Sequence, residues 1–140
     1  MLKKGQKMSG EKNLHELLQH ASPEHNPGKY VFSTLQSPST ELTESSVVFI
    51  REAEGITLVL PKDIADQYGV GYEYVASWIT LKIHSSLAAV GLTAAFSRAL
   101  ADRGISCNVV AGYYHDHIFV AYDDTIVAME VLSSLRRIPH

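Results

Sequence analysis

Between residues 74 and 137 the apolar spacing changes from strand-like to helical and back, and that alternation limits the chain to very few folds. The run WITLKI (78–83) reads as part of a strand placed somewhere in 74–84. Beyond it, Leu92, Ala95, Phe96, Ala99 and Leu100 recur at i, i+3, i+4, i+7 and i+8, one face of an α-helix. Thr93, Ser97, Arg98 and Asp102 fall largely off that face. Gly104 suits a left-handed residue closing the helix, with the apolar Ile105 after it. A strand from Ile105 to about Tyr114, a tight turn at His115–Asp116 and a second strand, HIFVA (117–121), come next. Asp123 and Asp124 then start a last helix with Val127, Val131 and Leu135 on one face. Acid at its start and Arg136–Arg137 at its end suit the helix dipole. This half runs β-α-β-β-α and stops, one strand short of a ferredoxin-like β-α-β-β-α-β sandwich. A strand from the first half, such as residues 30–35, or one from another subunit must fill the slot.

The first half is less regular. Residues 13–21 (NLHELLQHA) predict a short helix with Asn13 as N-cap and Leu14, Leu17 and Leu18 on one face. SPEHNPG (22–28) reads as a turn-rich link, YVFSTL (30–35) as a strand and the polar stretch 36–45 as an exposed loop. VVFI (47–50) and ITLVL (56–60) predict a hairpin around EAEG (52–55). Pro61 opens a short helix to about Tyr68, at a first-turn position where proline is tolerated.

Composition excludes several classes. The 140 residues carry 12 Lys plus Arg against 15 Asp plus Glu, a formal charge of −3 with no basic stripe, so nucleic acid and acidic membranes are not expected partners. An RNA-binding sandwich would need basic and aromatic residues on its sheet, and NVVAGYYHDHIFV (108–120) holds no Lys or Arg. No apolar run reaches membrane-spanning length. The basic start MLKKGQKMSGEK lacks a following hydrophobic segment, so no signal peptide is expected, and a cytoplasmic location follows; Met8 offers an alternative start. The single cysteine, Cys107, lies in a strand-like run and reads as a buried, inert thiol. G-x-S-x-G, P-loop, H-E-x-x-H and Cys–His patterns are all missing, so no enzyme is predicted. Glu52 and Glu54 read as a solvated turn rather than an acid–base pair.

Two stretches carry candidate binding chemistry. The first is His84, Ser85, Ser86, Leu87, Ala89, Val90, Gly91, Leu92 and Thr93, a small-residue helix start whose N–H groups can hold a carboxylate, with hydroxyls adding contacts. Its bland alternative is close packing at Gly91 and capping by the serines. The second is Tyr113, Tyr114, His115, Asp116 and His117. His115 and His117 would share a strand face and hold a metal, with Asp116 or His84 completing the site. Turn chemistry explains the same residues without a metal, so none is predicted, nor any cofactor. Trp78, the sole tryptophan, reads as core or interface, and His15, His20, His25 and His140 as incidental.

The glycine-bearing loop and helix between Gly91 and Gly104 resemble those of an ACT domain, an amino-acid-sensing regulatory module. EGITLVLPKDIA (54–65), KIHSSLAAVGLTAAFSRALADRGISCNVVAGYYHDHIFV (82–120) and the YVF strand resemble a bacterial family of small tandem ACT-like proteins. The likeness covers roughly residues 14–135. That family is related to the ACT modules of aspartokinases and eukaryotic arginine sensors. The resemblance implies an α+β fold: two interlocked ferredoxin-like β-α-β-β-α-β modules, mainly antiparallel sheet with helices on one face. It divides the chain into a flexible extension (1–12), an N-terminal ACT-like half (13–72) and a C-terminal ACT domain (73–140). It further implies a non-catalytic, homo-oligomeric protein binding an amino acid at a module or subunit interface, with Asp116 or a backbone carbonyl receiving the ligand ammonium. A ligand-free assembly protein is the alternative.

Overall fold

The computed structural model describes residues 10–83 and 90–137. The elements are α1 (Gly10–Gln19), β1 (Ser22–Leu35), α2 (Thr40–Ser45), β2 (Val48–Arg51), β3 (Ile56–Pro61), α3 (Lys62–Gln67), β4 (Val75–Lys82), α4 (Leu92–Ala101), β5 (Asn108–Ala111), β6 (Asp116–Ala121) and α5 (Thr125–Ser133). Hydrogen bonding orders the strands β2-β3-β1-β4-β6-β5, with β2 and β5 at the ends. Two compact units result: one takes the chain up to Asn26 together with Trp78 onward, the other Pro27–Ser77. β1 and β4 each pass from one unit to the other.

In the larger unit, Ile79 and Leu81 of β4 and Ile118 and Val120 of β6 alternate onto one sheet face. Helices cover that face through Leu18 of α1, Leu92, Phe96 and Leu100 of α4, and Ala128, Val131 and Leu132 of α5. Phe96 and Leu100 are wholly buried, each worth about 1.5–3 kcal/mol of apolar transfer. The expected face of α4 is the face that packs. Gly104 closes this helix with φ +71°, and the Ile105 amide reaches back to the Leu100 carbonyl at 3.0 Å. On the last helix, Asp123 and Asp124 lie in a 3-10 turn ahead of α5, and Leu135 lies in another after it.

The missing strand comes from the first half, but through residues expected to be a link. Ser22–Asn26 belong to β1, whose fourteen residues absorb the whole of 22–28. Glu24 pairs with Lys82 at 2.6 Å, and the Asn26 amide donates to Thr80 Oγ1 at 2.9 Å. Numbers that rise on one strand and fall on the other mark an antiparallel pair with β4. Pro23 and Pro27 misled the sequence reading because proline's fixed φ serves an extended strand as well as a turn. Asn13 is likewise not an N-cap, because helical geometry already begins at Gly10.

In the smaller unit, Val31, Leu42, Leu58, Leu60, Ala65 and Val70 form the core. The expected hairpin is present, pairing Val48 with Val59 and Arg51 with Ile56, and Tyr30–Leu35 of β1 pair with Ile56–Pro61. Residues 40–45 are a helix rather than a loop. Ser39 Oγ accepts the Leu42 amide at 3.2 Å, and Leu42 is the one apolar side chain in α2 and packs into the core. Pro61 is the N-cap of α3, one position earlier than its expected first-turn place.

Candidate functional site

The start of α4 is set by a single backbone conformation. Gly91 is the N-cap, with φ +95° and ψ −16° and no side-chain cap. An L side chain is costly there, whereas the space beside Gly91 is ordinary: a Cβ would lie 3.5 Å from Leu14 Cδ2. The first intrahelical bond runs from the Ala95 amide to the Gly91 carbonyl at 2.9 Å. The amides of Leu92, Thr93 and Ala94 therefore have no helical carbonyl to meet, and their ends of the peptide dipoles are positive. Thr93 is exposed beside them, and Val90 is 81% exposed. Of the other residues assigned to this loop, His84, Ser85, Ser86, Leu87 and Ala89 lie outside the described residues.

The second candidate stretch folds differently from expectation. β5 ends at Ala111 and β6 begins at Asp116, so the turn is Gly112–His115 rather than His115–Asp116. The Gly112 amide bonds to the His115 carbonyl at 2.9 Å, and a Cβ on Gly112 would sit 2.8 Å from that oxygen. Only glycine fits. Tyr113 and Tyr114 are not strand residues but the turn tip, 82% and 77% exposed, with rings edge-on at 5.1 Å. Asp116 alternates with Ile118 and Val120 toward the helices, and burial raises its carboxyl above the ordinary value despite His117 and His115 nearby.

His117 faces the other way and joins a polar cluster on β4. Trp78 Nε1 donates to His117 Nδ1 at 3.0 Å, Thr80 Oγ1 lies 3.2 Å from the same nitrogen, and Asn26 Nδ2 donates to Thr80 Oγ1 and to the Trp78 carbonyl at 3.2 Å. An indole N–H can only donate, so the imidazole is neutral with its hydrogen on Nε2. Burial, followed by the neighbouring His115, holds the His117 pKa below the usual value, against the pull of Asp116. With His115 in the turn and His117 Nδ1 committed to Trp78, the two do not present a shared metal-binding face. Among the described residues, no group of three or more His, Cys, Asp or Glu side chains could hold a metal ion.

His117 is thus brought to β4, through contacts with Trp78 and Thr80, while Tyr113 and Tyr114 stay exposed at the turn and Asp116 lies on the helix-covered side of β6. Sequence reasoning missed Thr80 and Asn26 and gave Trp78 no polar role. The available signal was the alternation of Trp78, Thr80 and Lys82 with the apolar Ile79 and Leu81.

Two ACT domain models match the chain, one over residues 9–77 and one over 73–134. The chain belongs to the ACT domain family. A solved Vibrio cholerae protein of unknown function, described as a possible transport protein, is 45% identical, with 91% of this chain and 99% of that one covered and a TM-score of 0.82. The ACT fold also recurs at low identity. An Agrobacterium tumefaciens protein is 19% identical over 81% of this chain and 87% of its own, with a TM-score of 0.64. The ligand-free regulatory subunit of aspartate kinase from Thermus thermophilus is 9% identical over 81% and 95%, with a TM-score of 0.60. Among curated proteins none matches. ACT domains are, as a class, regulatory small-molecule-binding modules, and the tandem arrangement expected from the sequence is present. Among the described residues no helix is long and apolar enough to cross a membrane.

Proposed function

We propose that this tandem ACT protein is a non-catalytic, cytoplasmic sensor that binds an amino acid at the start of α4 and changes its self-association when occupied. The observation that carries the reading is the left-handed, uncapped Gly91 at the head of a ten-residue helix. Backbone amides there suit the ligand carboxylate, and Thr93 and the serines expected in the loop supply hydroxyl contacts. Asp116 and the exposed turn at Tyr113–His115 are the proposed source of ammonium and side-chain contacts, across a module or subunit interface. Occupancy would favour whichever assembly completes both sets of contacts.

Thermal melting against the twenty amino acids tests this. At a hundred times the dissociation constant a ligand adds about 2.7 kcal/mol, a readable shift. One amino acid should raise Tm in the wild type and not in Gly91→Val, each compared with its own ligand-free melt. The absence of any shift refutes the sensor. Ligand-free assembly is the second reading, favoured by the end strand β2, where Phe49 and Ile50 are exposed. It predicts a dimer or larger species by sedimentation, unchanged by every amino acid.

A further inference from the structure

The His117 ring is bracketed on two edges. On one, Nδ1 accepts the Trp78 indole N–H at 3.0 Å, with Thr80 Oγ1 at 3.2 Å. On the other, Nε2 and Cδ2 lie over Gly112, 3.0 and 3.1 Å from where a Cβ on that residue would stand. Gly112 opens the β5–β6 turn, which its amide closes on the His115 carbonyl. The ring therefore spans from the middle of β4 to the base of that turn.

The two edges answer a proton differently. An indole N–H has no lone pair to offer, so a hydrogen placed on Nδ1 sets two donors against each other at hydrogen-bond distance. The imidazolium also meets the positive N–H rim of the indole rather than its π face. Thr80 Oγ1 has two lone pairs and can accept the new N–H while keeping that of Asn26, so the β1–β4 side of the cluster survives. Trp78 is held in place by stacking on the wholly buried Phe119, with 16° between the ring planes. The turn is the cheaper part to move. Tyr113 and Tyr114 already stand in solvent there, and His115 Nδ1 is buried without a hydrogen-bond partner, a cost that a rearranged turn removes.

Few charges surround the ring. On β5, Val110 pairs with His117, and the strand carries no titratable side chain. On β4, Lys82 follows Trp78 and Thr80 on the same face and is paired with Glu24 of β1 at 2.6 Å. Burial opposes the charged imidazole most strongly, His115 in the turn opposes it further, and Asp116 favours it.

We infer that His117 is a proton-operated switch: neutral, it ties Trp78 to the base of the β5–β6 turn, and protonation at Nδ1 breaks the indole bond and shifts the turn that displays Tyr113 and Tyr114. The device does not rest on the sensor reading and holds whether or not the turn meets an amino acid.

NMR of the full chain without ligand, titrated from pH 8 to pH 5, tests this. At pH 8 the imidazole nitrogen shifts should report hydrogen on Nε2 and none on Nδ1. On acidification His117, the Trp78 indole N–H and the amides of Gly112–His115 should move together, with one midpoint below 6.5. His117→Gln should abolish this shared transition. His115→Gln should keep it and raise its midpoint, and Asp116→Asn should keep it and lower its midpoint. The inference is overturned by hydrogen on Nδ1 at pH 8, or by a His117 titration that the indole and the turn amides do not follow. It is also overturned by a turn transition that persists in His117→Gln or vanishes in His115→Gln. Should His117→Gln fail to fold, the wild-type tautomer and the shared midpoint decide alone.

Discussion

Replacing Gly91 by alanine tests whether the head of α4 owes its glycine to conformation or to packing. At φ +95° an L-residue costs about 1–2 kcal/mol more than glycine. Alanine recovers about 0.4–1 kcal/mol of that by restricting the unfolded chain. No clash is added, since the new methyl would stand 3.5 Å from Leu14 Cδ2, an ordinary contact. The expected net loss is therefore about 1 kcal/mol, or roughly 3–5 °C in Tm for a chain of this length. Urea unfolding followed by far-UV circular dichroism reads it as a lowered midpoint at constant slope. Gly91→Asn should lose about half as much, because asparagine tolerates the left-handed region better than alanine does. Gly104→Ala, at φ +71° with nothing within 4 Å of its Cβ position, should match Gly91→Ala. A neutral Gly91→Ala would refute the conformational argument. So would a loss above about 4 kcal/mol, or an asparagine variant worse than the alanine one, since both would mean that volume against Leu14 decides.

Two further outcomes are expected. His117 titrates below its unfolded value of 6.5, so between the folded pKa and about 6.5 the unfolded chain binds the extra proton and stability falls as pH is lowered; the urea midpoint should drop from pH 7.5 to pH 5.5, and less so in His117→Asn. Asp116, shifted upward from 3.8 by burial, gives the opposite slope at lower pH, so Asp116→Asn serves as the background that removes it. Cys107 is half-buried with its thiol pushed up by burial against a weaker opposing contact from Ser97, so alkylation by iodoacetamide at pH 7.5 should be slow in the folded protein and rise sharply in urea; fast labelling of the native chain would contradict this.

The parts of the fold legible in the sequence are those where side-chain period and burial agree. Leu92, Phe96 and Leu100 repeat with the helix and are all buried, and Val48–Arg51 with Ile56–Pro61 form the expected hairpin. The misreadings share one cause: residues such as proline, serine and asparagine suit more than one local geometry, and tertiary pairing decides between them. SPEHNPG is strand because β4 offers Thr80 and Lys82 to Asn26 and Glu24. STELTES is helix because Leu42 finds a core. At the candidate site, Gly91 was legible because a positive φ leaves glycine as its trace. The cluster of Asn26, Trp78, Thr80 and His117 was not, because its members stand up to 91 positions apart, from 26 to 117, and no local pattern links them.

The exchange of β1 and β4 between the two units makes the chain indivisible in a practical sense. No single cut releases two complete ACT modules, although two family matches can be drawn along the sequence. A fragment beginning at residue 73 would keep β4, β5 and β6 but lose Ser22–Asn26, exposing the edge of β4 on which they are hydrogen-bonded. Such an edge recruits any available strand. Inheritance would follow the same logic: halves of this kind can diverge in their pockets, but neither can be lost or shuffled alone without leaving the other unfinished.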